Sequence, residues 1–236
     1  MSAVQTVRGL VVALCLAGTP VLADLPLVPE HCEALYSVQK RLCAVQHVYR
    51  CQAQAAVEWL LVDVKKDKSL EMETIDAEGN LLSVWTEKLG KRFFGYVLRA
   101  DPVSYSTALS SGRDDHNSTF LFKYPVFLDP IPTRSTGHMV RTGETVVLDG
   151  VTFERFEAHN TLKFLNVSIE IEGDMFLDVA TGAFIDGQKR ADVYGMMVEE
   201  GHPAQVIHPG EPGFLKNVAI YDCDATSDAA PDRRPA

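Results

Sequence analysis

The sequence has little positive charge and no long apolar run, and each absence excludes a class of protein. Its 22 Lys and Arg residues are outnumbered by 32 Asp and Glu residues, which gives a formal net charge of −10. Because such a surface repels phosphate backbones, we predict no nucleic-acid partner. No stretch reaches the roughly 18 consecutive apolar residues of a membrane-spanning helix, so we also predict no stable membrane insertion.

Common signatures of catalysis and zinc binding are absent too. The chain has no G-x-S-x-G nucleophile turn, no H-E-x-x-H helix, no P-loop and no pair of cysteines at C-x-x-C spacing. These motifs place nucleophiles, metal ligands and phosphates in the geometries that their chemistry requires. We therefore predict no cofactor and no catalytic residue, and the sequence favours a non-enzymatic protein.

The first 23 residues have the pattern of a secretory signal peptide. Arg8 precedes an apolar run from Gly9 to Ala17, and Val21 and Ala23 are small residues at the −3 and −1 positions before Asp24. We therefore expect a periplasmic or secreted protein. The predicted organisation is a signal peptide at residues 1–23, a single β-rich domain at 24–226 and a disordered tail at 227–236.

Removal of the signal peptide leaves four cysteines, Cys32, Cys43, Cys51 and Cys223. An even number in an exported chain predicts two disulfides, with three ways of pairing them. Because three of the cysteines lie near the start of the chain and the fourth near its end, at least one bridge must join the two ends. Among the three pairings we favour Cys32–Cys43 with Cys51–Cys223.

Apolar and polar residues alternate through most of the chain, a period that indicates half-buried β-strands. Leu165, Val167, Ile169 and Ile171 share one face of the clearest strand, and Asp149-Gly150 is typical of a two-residue hairpin turn. Further predicted strands are Ala56–Val64, Leu70–Glu73, Leu81–Trp85, Arg92–Leu98, Thr119–Tyr124, Val146–Leu148, Met175–Asp178, Ala183–Asp186, Asp192–Glu199 and Val218–Asp222.

Helical patterns are few. Glu33–Leu42 is predicted as a helix of ten residues and Ser104–Leu109 as a turn or two, while Ser110–Ser118 and Asp129–Gly137 are predicted as irregular. Since no helices alternate with the strands, parallel βαβ units are excluded. The predicted fold is mainly all-β, an antiparallel meander that forms a barrel or a strongly curved half-barrel, with a little helix near the N-terminus.

Aromatic residues form the main candidate ligand site. Phe120, Phe122 and Tyr124 share one face of a predicted strand, while Phe93 and Tyr96 lie in another. In a closed barrel such faces fill the interior, whereas in a half-barrel they line an apolar groove. We predict these five residues as ligand-binding, with an apolar small molecule or lipid as the partner.

Two histidines form a candidate metal site. His202 and His208 lie in a segment rich in glycine and proline, and Glu211 follows closely. Two imidazoles and a carboxylate suit zinc or copper, although the spacing is not a standard ligand motif. A second polar cluster, at residues 114–117, has oxygen ligands for calcium but lacks the spacing of a calcium-binding loop.

Residues 143–187 resemble part of the bacterial periplasmic half-barrel proteins related to the lipoprotein carriers. The run Gly143–Glu154 is similar to a hairpin of that group, and Phe176–Phe184 is similar to its next turn. The resemblance implies a curved antiparallel sheet whose concave, apolar face holds acyl chains. Those proteins usually have a helical lid, for which this sequence offers few helices.

Three hypotheses for the function follow. The first is an exported, non-enzymatic binding or carrier protein for an apolar, acyl-chain-like ligand. The second is a structural or interaction protein of the cell envelope with a fully packed core. The third is a secreted metal-dependent hydrolase that uses His202 and His208. The oligomeric state is not predicted.

Overall fold

The structure is a computed structural model, and it describes residues 28–53, 56–87, 91–99, 101–123, 129–193 and 196–224. The predicted signal peptide at 1–23 and the predicted tail at 227–236 lie outside these ranges. The described residues form thirteen strands and one short helix. The strands are β1 (Cys32–Lys40), β2 (Ala44–Ala53), β3 (Ala56–Val64), β4 (Leu70–Asp76), β5 (Leu81–Thr86), β6 (Lys91–Arg99), β7 (Arg113–Lys123), β8 (Ile131–Leu148), β9 (Val151–Phe164), β10 (Val167–Asp178), β11 (Phe184–Val193), β12 (Met196–Glu200) and β13 (Pro203–Ile207), and the helix is α1 (Tyr105–Ser111).

All thirteen strands belong to one antiparallel sheet whose order follows the chain with a single exception. Each strand from β1 to β12 pairs with the next, and β13 returns to pair with β1. Within the described residues β12 and β13 are therefore the two edges of an open sheet. The predicted all-β antiparallel meander is confirmed, and of the two predicted forms the sheet matches the curved half-barrel rather than the closed barrel.

The sheet bends so that strands from its two halves pack around one core. Tyr36 in β1 makes a T-shaped contact with Phe153 in β9, with 6.3 Å between the ring centroids. Gly201 and His202, which connect β12 to β13, lie against Arg41, whose backbone N–H donates to the His202 carbonyl at 2.8 Å. The core buries residues from both halves of the sheet, among them Val38, Val48, Trp59, Leu61, Met139, Phe156, Phe176, Phe184 and Ile185.

A second, smaller core lies on the outer face of the first strands. Tyr49, Leu60 and Val62 pack there, and part of their cover is Leu215 of the C-terminal strap, which we define as residues 208–224. The Gln39 side chain holds the strap from within β1: its Nε2 donates to the Val218 carbonyl at 3.0 Å. The first three strands are thus buried on both faces, which explains the apolar run Trp59–Val62 of β3.

The disulfides differ from the favoured pairing. The structure joins Cys32 to Cys51 and Cys43 to Cys223. The antiparallel register of β1 and β2 places Cys32 directly opposite Cys51, while Cys43 lies in the turn between these strands, beside the strap. The favoured pairing is wrong because the hairpin of β1 and β2 places Cys51, and not Cys43, opposite Cys32. Two bridges, one of which joins the chain ends, are confirmed.

The predicted N-terminal helix at Glu33–Leu42 is also wrong, because residues 32–40 form β1. Tyr36 and Val38 face the main core, whereas Ser37 and Gln39 face the strap. The predicted strand Val218–Asp222 is instead an irregular part of that strap, with Val218 60% exposed.

Both segments predicted as irregular contain strand. β7 begins at Arg113 and β8 at Ile131, so most of Ser110–Ser118 and Asp129–Gly137 belongs to the sheet. Their polar composition arises because alternate residues, such as His116, Ser118 and Ser135, line an internal cavity instead of a dry core.

Helix α1 blocks one end of the curved sheet, where a turn or two was predicted. Ser104 begins the helix by accepting a hydrogen bond from the backbone N–H of Thr107, and Gly112 ends it in a left-handed conformation. Tyr105 projects from the helix into the core and stacks on Phe184, with ring centroids 3.4 Å apart. No helix among the described residues is long and apolar enough to cross a membrane.

Candidate functional site

The inner face of the curved sheet surrounds a cavity of about 390 Å³. Strands β7 to β10 supply most of its wall, and α1 with the preceding segment closes one end. The volume falls within the range of about 300–1,000 Å³ that is typical of small-molecule sites. Its apolar lining residues include Leu81, Val103, Phe120, Phe122, Met139, Leu162, Phe164, Ile169, Ile171 and Met175.

Two very small residues lie in the middle of the cavity wall. Ala158 and Gly173 lie opposite each other on β9 and β10, and both line the space. A Cβ atom on Gly173 would meet the backbone of Gln188 in β11, so only glycine permits the strands to approach this closely. Gly173 thus sets the close approach of β10 and β11, and Ala158 adds only a methyl group to the wall.

Several of the apolar lining side chains are only half buried. Phe120, Leu162, Phe164 and Ile169 lie towards the ends of their strands, away from α1, and each keeps partial solvent exposure. The cavity is therefore an open groove at this end.

The predicted aromatic site falls partly on this groove. Phe120 and Phe122 both line it, with ring centroids 5.5 Å apart. Phe93 and Tyr96 lie in β6, whose side chains are not among those described, and Tyr124 lies outside the described residues. For those three residues the predicted role in ligand binding stays a prediction.

Glu73, Asp186 and Lys189 form one charged part of the cavity wall, which Asp174 also lines. Burial, together with the nearby carboxylates, raises the pKa of Glu73 to about 8, although Lys189 opposes the shift. Burial alone would raise the pKa of Asp186 as well, but Lys189 and Lys40 outweigh it and lower that pKa to about 2. At neutral pH one of these acids is therefore mostly protonated and the other is ionised.

Asp186 and Lys189 also belong to an ionic cluster that connects the two halves of the sheet, together with Lys40, Gln46, Asp63 and Glu200. Lys40 is 1% exposed, and its Nζ lies 3.9 Å from Asp63 and 3.8 Å from Glu200. Gln46 Nε2 donates to Asp63 at 3.0 Å and to Asp186 at 3.4 Å. The cluster thus connects β1, β2 and β3 with β11 and β12.

Neutral polar side chains of β7, β8 and β9 form another part of the wall. Ser135 Oγ donates to Asn160 Oδ1 at 2.9 Å, and His116 Nε2 lies 3.4 Å from the same oxygen. Ser118 lines the cavity beside them. With its oxygen held by these neighbours, Asn160 presents its amide N–H group as a hydrogen-bond donor.

The predicted metal ligands are not brought together. His202 Nδ1 lies 3.9 Å from Asp174, whereas His208 Nε2 bonds to the backbone carbonyl of Asp149 at 2.9 Å. Glu211 accepts from the backbone N–H of His208 at 2.7 Å, a contact that shapes the turn. Among the residues that the structure describes, no group of three or more His, Cys, Asp or Glu side chains is arranged to hold a metal ion.

Sequence reasoning missed the polar wall for a physical reason. Alternation in β4 places Glu73 on the face opposite Met72, and an acid opposite an apolar residue is normally read as solvent-exposed. Here Met72 packs in the outer core while Glu73 faces the cavity, so both faces are covered. The unbroken apolar run Trp59–Val62 in the neighbouring β3 was the available signal, because it indicates burial on both faces.

No protein-family model matches the chain, and neither the curated proteins nor the solved structures include a match. The resemblance of residues 143–187 to the lipoprotein-carrier group therefore stays a prediction. The functional argument rests on the cavity itself.

Proposed function

We propose that the protein is an exported, non-enzymatic binding or carrier protein that holds an apolar, acyl-chain-like ligand in the cavity of the curved sheet. The observation that carries the proposal is the open groove of about 390 Å³ bordered by half-exposed apolar side chains of β7, β9 and β10. Burial of a ligand against such apolar walls contributes about 0.8 kcal/mol of binding free energy for each methylene group removed from water.

The cavity also bears on the alternative of an interaction protein with a packed core. Protein interiors normally leave few voids larger than a water molecule, because each void forfeits contacts. Here the curved sheet encloses a far larger space, lined by aromatic and aliphatic side chains. A ligand that fills this space restores the lost contacts, which supports the binding hypothesis over the packed one.

Two disulfides support an oxidising compartment, since such bonds persist in secreted and periplasmic proteins. Together with the signal-peptide pattern of residues 1–23, they favour the periplasm or the extracellular space as the place of function.

The proposal is tested with ligand extracted from the purified protein and with a neutral fluorescent probe. Native mass spectrometry of protein purified after export is expected to show an adduct that organic extraction removes. The emptied protein is expected to bind N-phenyl-1-naphthylamine saturably, with the fluorescence increase that this probe shows in apolar sites.

A pair of variants locates the binding. Ala158→Trp places a large side chain in the cavity and is expected to reduce probe binding at least tenfold. A tenfold loss corresponds to the burial of about one to two methylene groups. Ser168→Trp places the same side chain at an exposed position of β10 and is the matched control. Wild-type protein without adduct and without saturable probe binding contradicts the proposal, as does unchanged binding by Ala158→Trp.

A further inference from the structure

We infer that the cavity selects acyl ligands whose polar group is uncharged, such as an alcohol or an ester, over fatty carboxylates and alkyl phosphates. This inference rests on the proposed function, because it assigns the chemistry of the ligand that the same cavity takes. It follows from the charges and hydrogen-bonding groups that line the wall.

The wall offers no uncompensated positive charge to an anionic head group. Lys189 is the only Lys or Arg among the described residues that line the cavity, and its Nζ lies 3.1 Å from Asp186 and 3.9 Å from Glu200. Glu73 adds a further acid beside it. An incoming carboxylate or phosphate would therefore lose its hydration and meet Asp186 and Glu200 around a lysine that they already pair.

The imidazoles of the wall also have acidic neighbours. His116 Nδ1 lies 4.0 Å from Asp114, and His159 Nε2 lies 3.8 Å from Glu172. His138 pairs across the strands with Asp115. Arg155, just outside the cavity lining, is held by Asp174 at 2.9 Å. The guanidinium group of Arg155 is thus compensated within the protein.

Neutral groups, by contrast, are available for hydrogen bonds. Ser135 and His116 hold the side-chain oxygen of Asn160. The amide N–H group of Asn160 is then left to donate a hydrogen bond to the carbonyl or hydroxyl oxygen of the ligand. Ser118 and Thr133 add hydroxyl groups to the same stretch of wall. Because the pKa of Glu73 is raised to about 8, its carboxyl group at pH 7 is mostly a further neutral donor.

The test compares four ligands of equal chain length as competitors of N-phenyl-1-naphthylamine at pH 7.5, each below its aggregation limit. Dodecanol and methyl dodecanoate are expected to displace the probe at concentrations about tenfold or more below those of dodecanoate and dodecyl phosphate, since like charges brought together in a site oppose binding. Equal or tighter binding of either anion overturns the inference.

Two variants test the cause of the selectivity. Asn160→Ala is expected to weaken dodecanol and the ester about five- to tenfold, the size of one hydrogen bond, with each displacement referred to the probe affinity measured for the same variant. Asn166→Ala removes an exposed asparagine in the turn after β9 and is the control. Asp186→Asn removes the fixed negative charge and is expected to narrow the gap between dodecanol and dodecanoate.

The two proposals fail in different ways. If neither the probe nor any of the four ligands binds, the proposed function itself fails. If all four bind with similar affinity, or if Asn160→Ala binds dodecanol as the wild type does, the cavity is a binding site but the inferred choice of head group is wrong.

Discussion

Glu73 is the residue whose ionisation depends most directly on the cavity. Its carboxyl group lies beside Asp186 and Lys189, and Lys189 stabilises the ionised form of Asp186 while burial disfavours the ionised form of Glu73. The pKa of Glu73 is about 8 in the folded protein, against an ordinary value of 4.5. This difference links the stability of the fold to pH.

Glu73→Gln is expected to change how stability varies with pH. Below pH 4.5 the carboxyl group is protonated in both states, so it adds no pH dependence. Between pH 4.5 and 8 it ionises only in the unfolded chain, so the wild type loses stability as pH rises through this window. Glutamine cannot ionise, so the free energy of unfolding of the variant, relative to the wild type, should rise by about 2 kcal/mol between pH 5 and pH 9. The rise is smaller than the full difference in pKa would give, because the open cavity leaves Glu73 in partial contact with water.

Urea denaturation at the two pH values measures this change. Glu170→Gln, at an exposed position of β10, is the matched control and should follow the wild type at both values. A constant difference between Glu73→Gln and the wild type across the window would show that Glu73 ionises at an ordinary pKa.

Single residues of the site were only partly predictable. Phe120 and Phe122 were found because aromatic residues at alternate positions indicate one face of a strand. Glu73 and Asn160 were not, because the sequence does not tell whether the polar face of a strand meets water or an internal cavity. That distinction depends on the bend of the sheet, which brings β4 and β11 to the same space.

At the scale of elements, α1 and the turn between β4 and β5 depend on each other. Gly79 in that turn has a φ of +87°, and a Cβ atom there would overlap the ring of Tyr105. Gly112, at the end of α1, has a similar φ of +83° but open space around it. The two glycines share a backbone conformation and differ in what surrounds them.

The pair provides a matched comparison of packing against backbone strain. Gly112→Ala is expected to lower the free energy of unfolding by about 1 kcal/mol, the cost of a left-handed alanine. Gly79→Ala carries the same cost and also displaces Tyr105 from Phe184, so about 3 kcal/mol is expected. Urea unfolding of both variants measures the difference, and equal losses would mean that Tyr105 moves aside freely.

Three strands were predicted almost to the residue. The bounds of β3 match the predicted Ala56–Val64, and β5 and β6 match to within a residue or two. Prediction failed in β1, which packs against the core on one side and the strap on the other, and in β7 and β8, whose inner positions are polar. In each case tertiary surroundings changed the usual alternation.

At the scale of the whole molecule, the two disulfides close loops of very different length. Cys32–Cys51 spans 19 residues between paired strands, whereas Cys43–Cys223 spans 180 residues and attaches the strap to the turn after β1. A crosslink stabilises mainly by restricting the unfolded chain, and more so for longer loops.

Removal of each bridge by double alanine substitution should show this difference. Cys43→Ala with Cys223→Ala is expected to cost about 5 kcal/mol, and Cys32→Ala with Cys51→Ala about 3 kcal/mol. Guanidinium unfolding under non-reducing conditions compares them. A larger loss from the shorter loop would show that native contacts, and not the entropy of the unfolded chain, dominate the effect.

The order of the strands has a consequence for synthesis. Because every pairing from β1 to β12 joins neighbours in the chain, a nascent polypeptide can add its hairpins in the order in which they emerge. Only β13 and the strap must return to the start of the sheet. A chain without them leaves the edge of β1 and the outer core uncovered. Such an exposed edge is a template for pairing with another chain, so β13 and the strap protect the start of the sheet against aggregation.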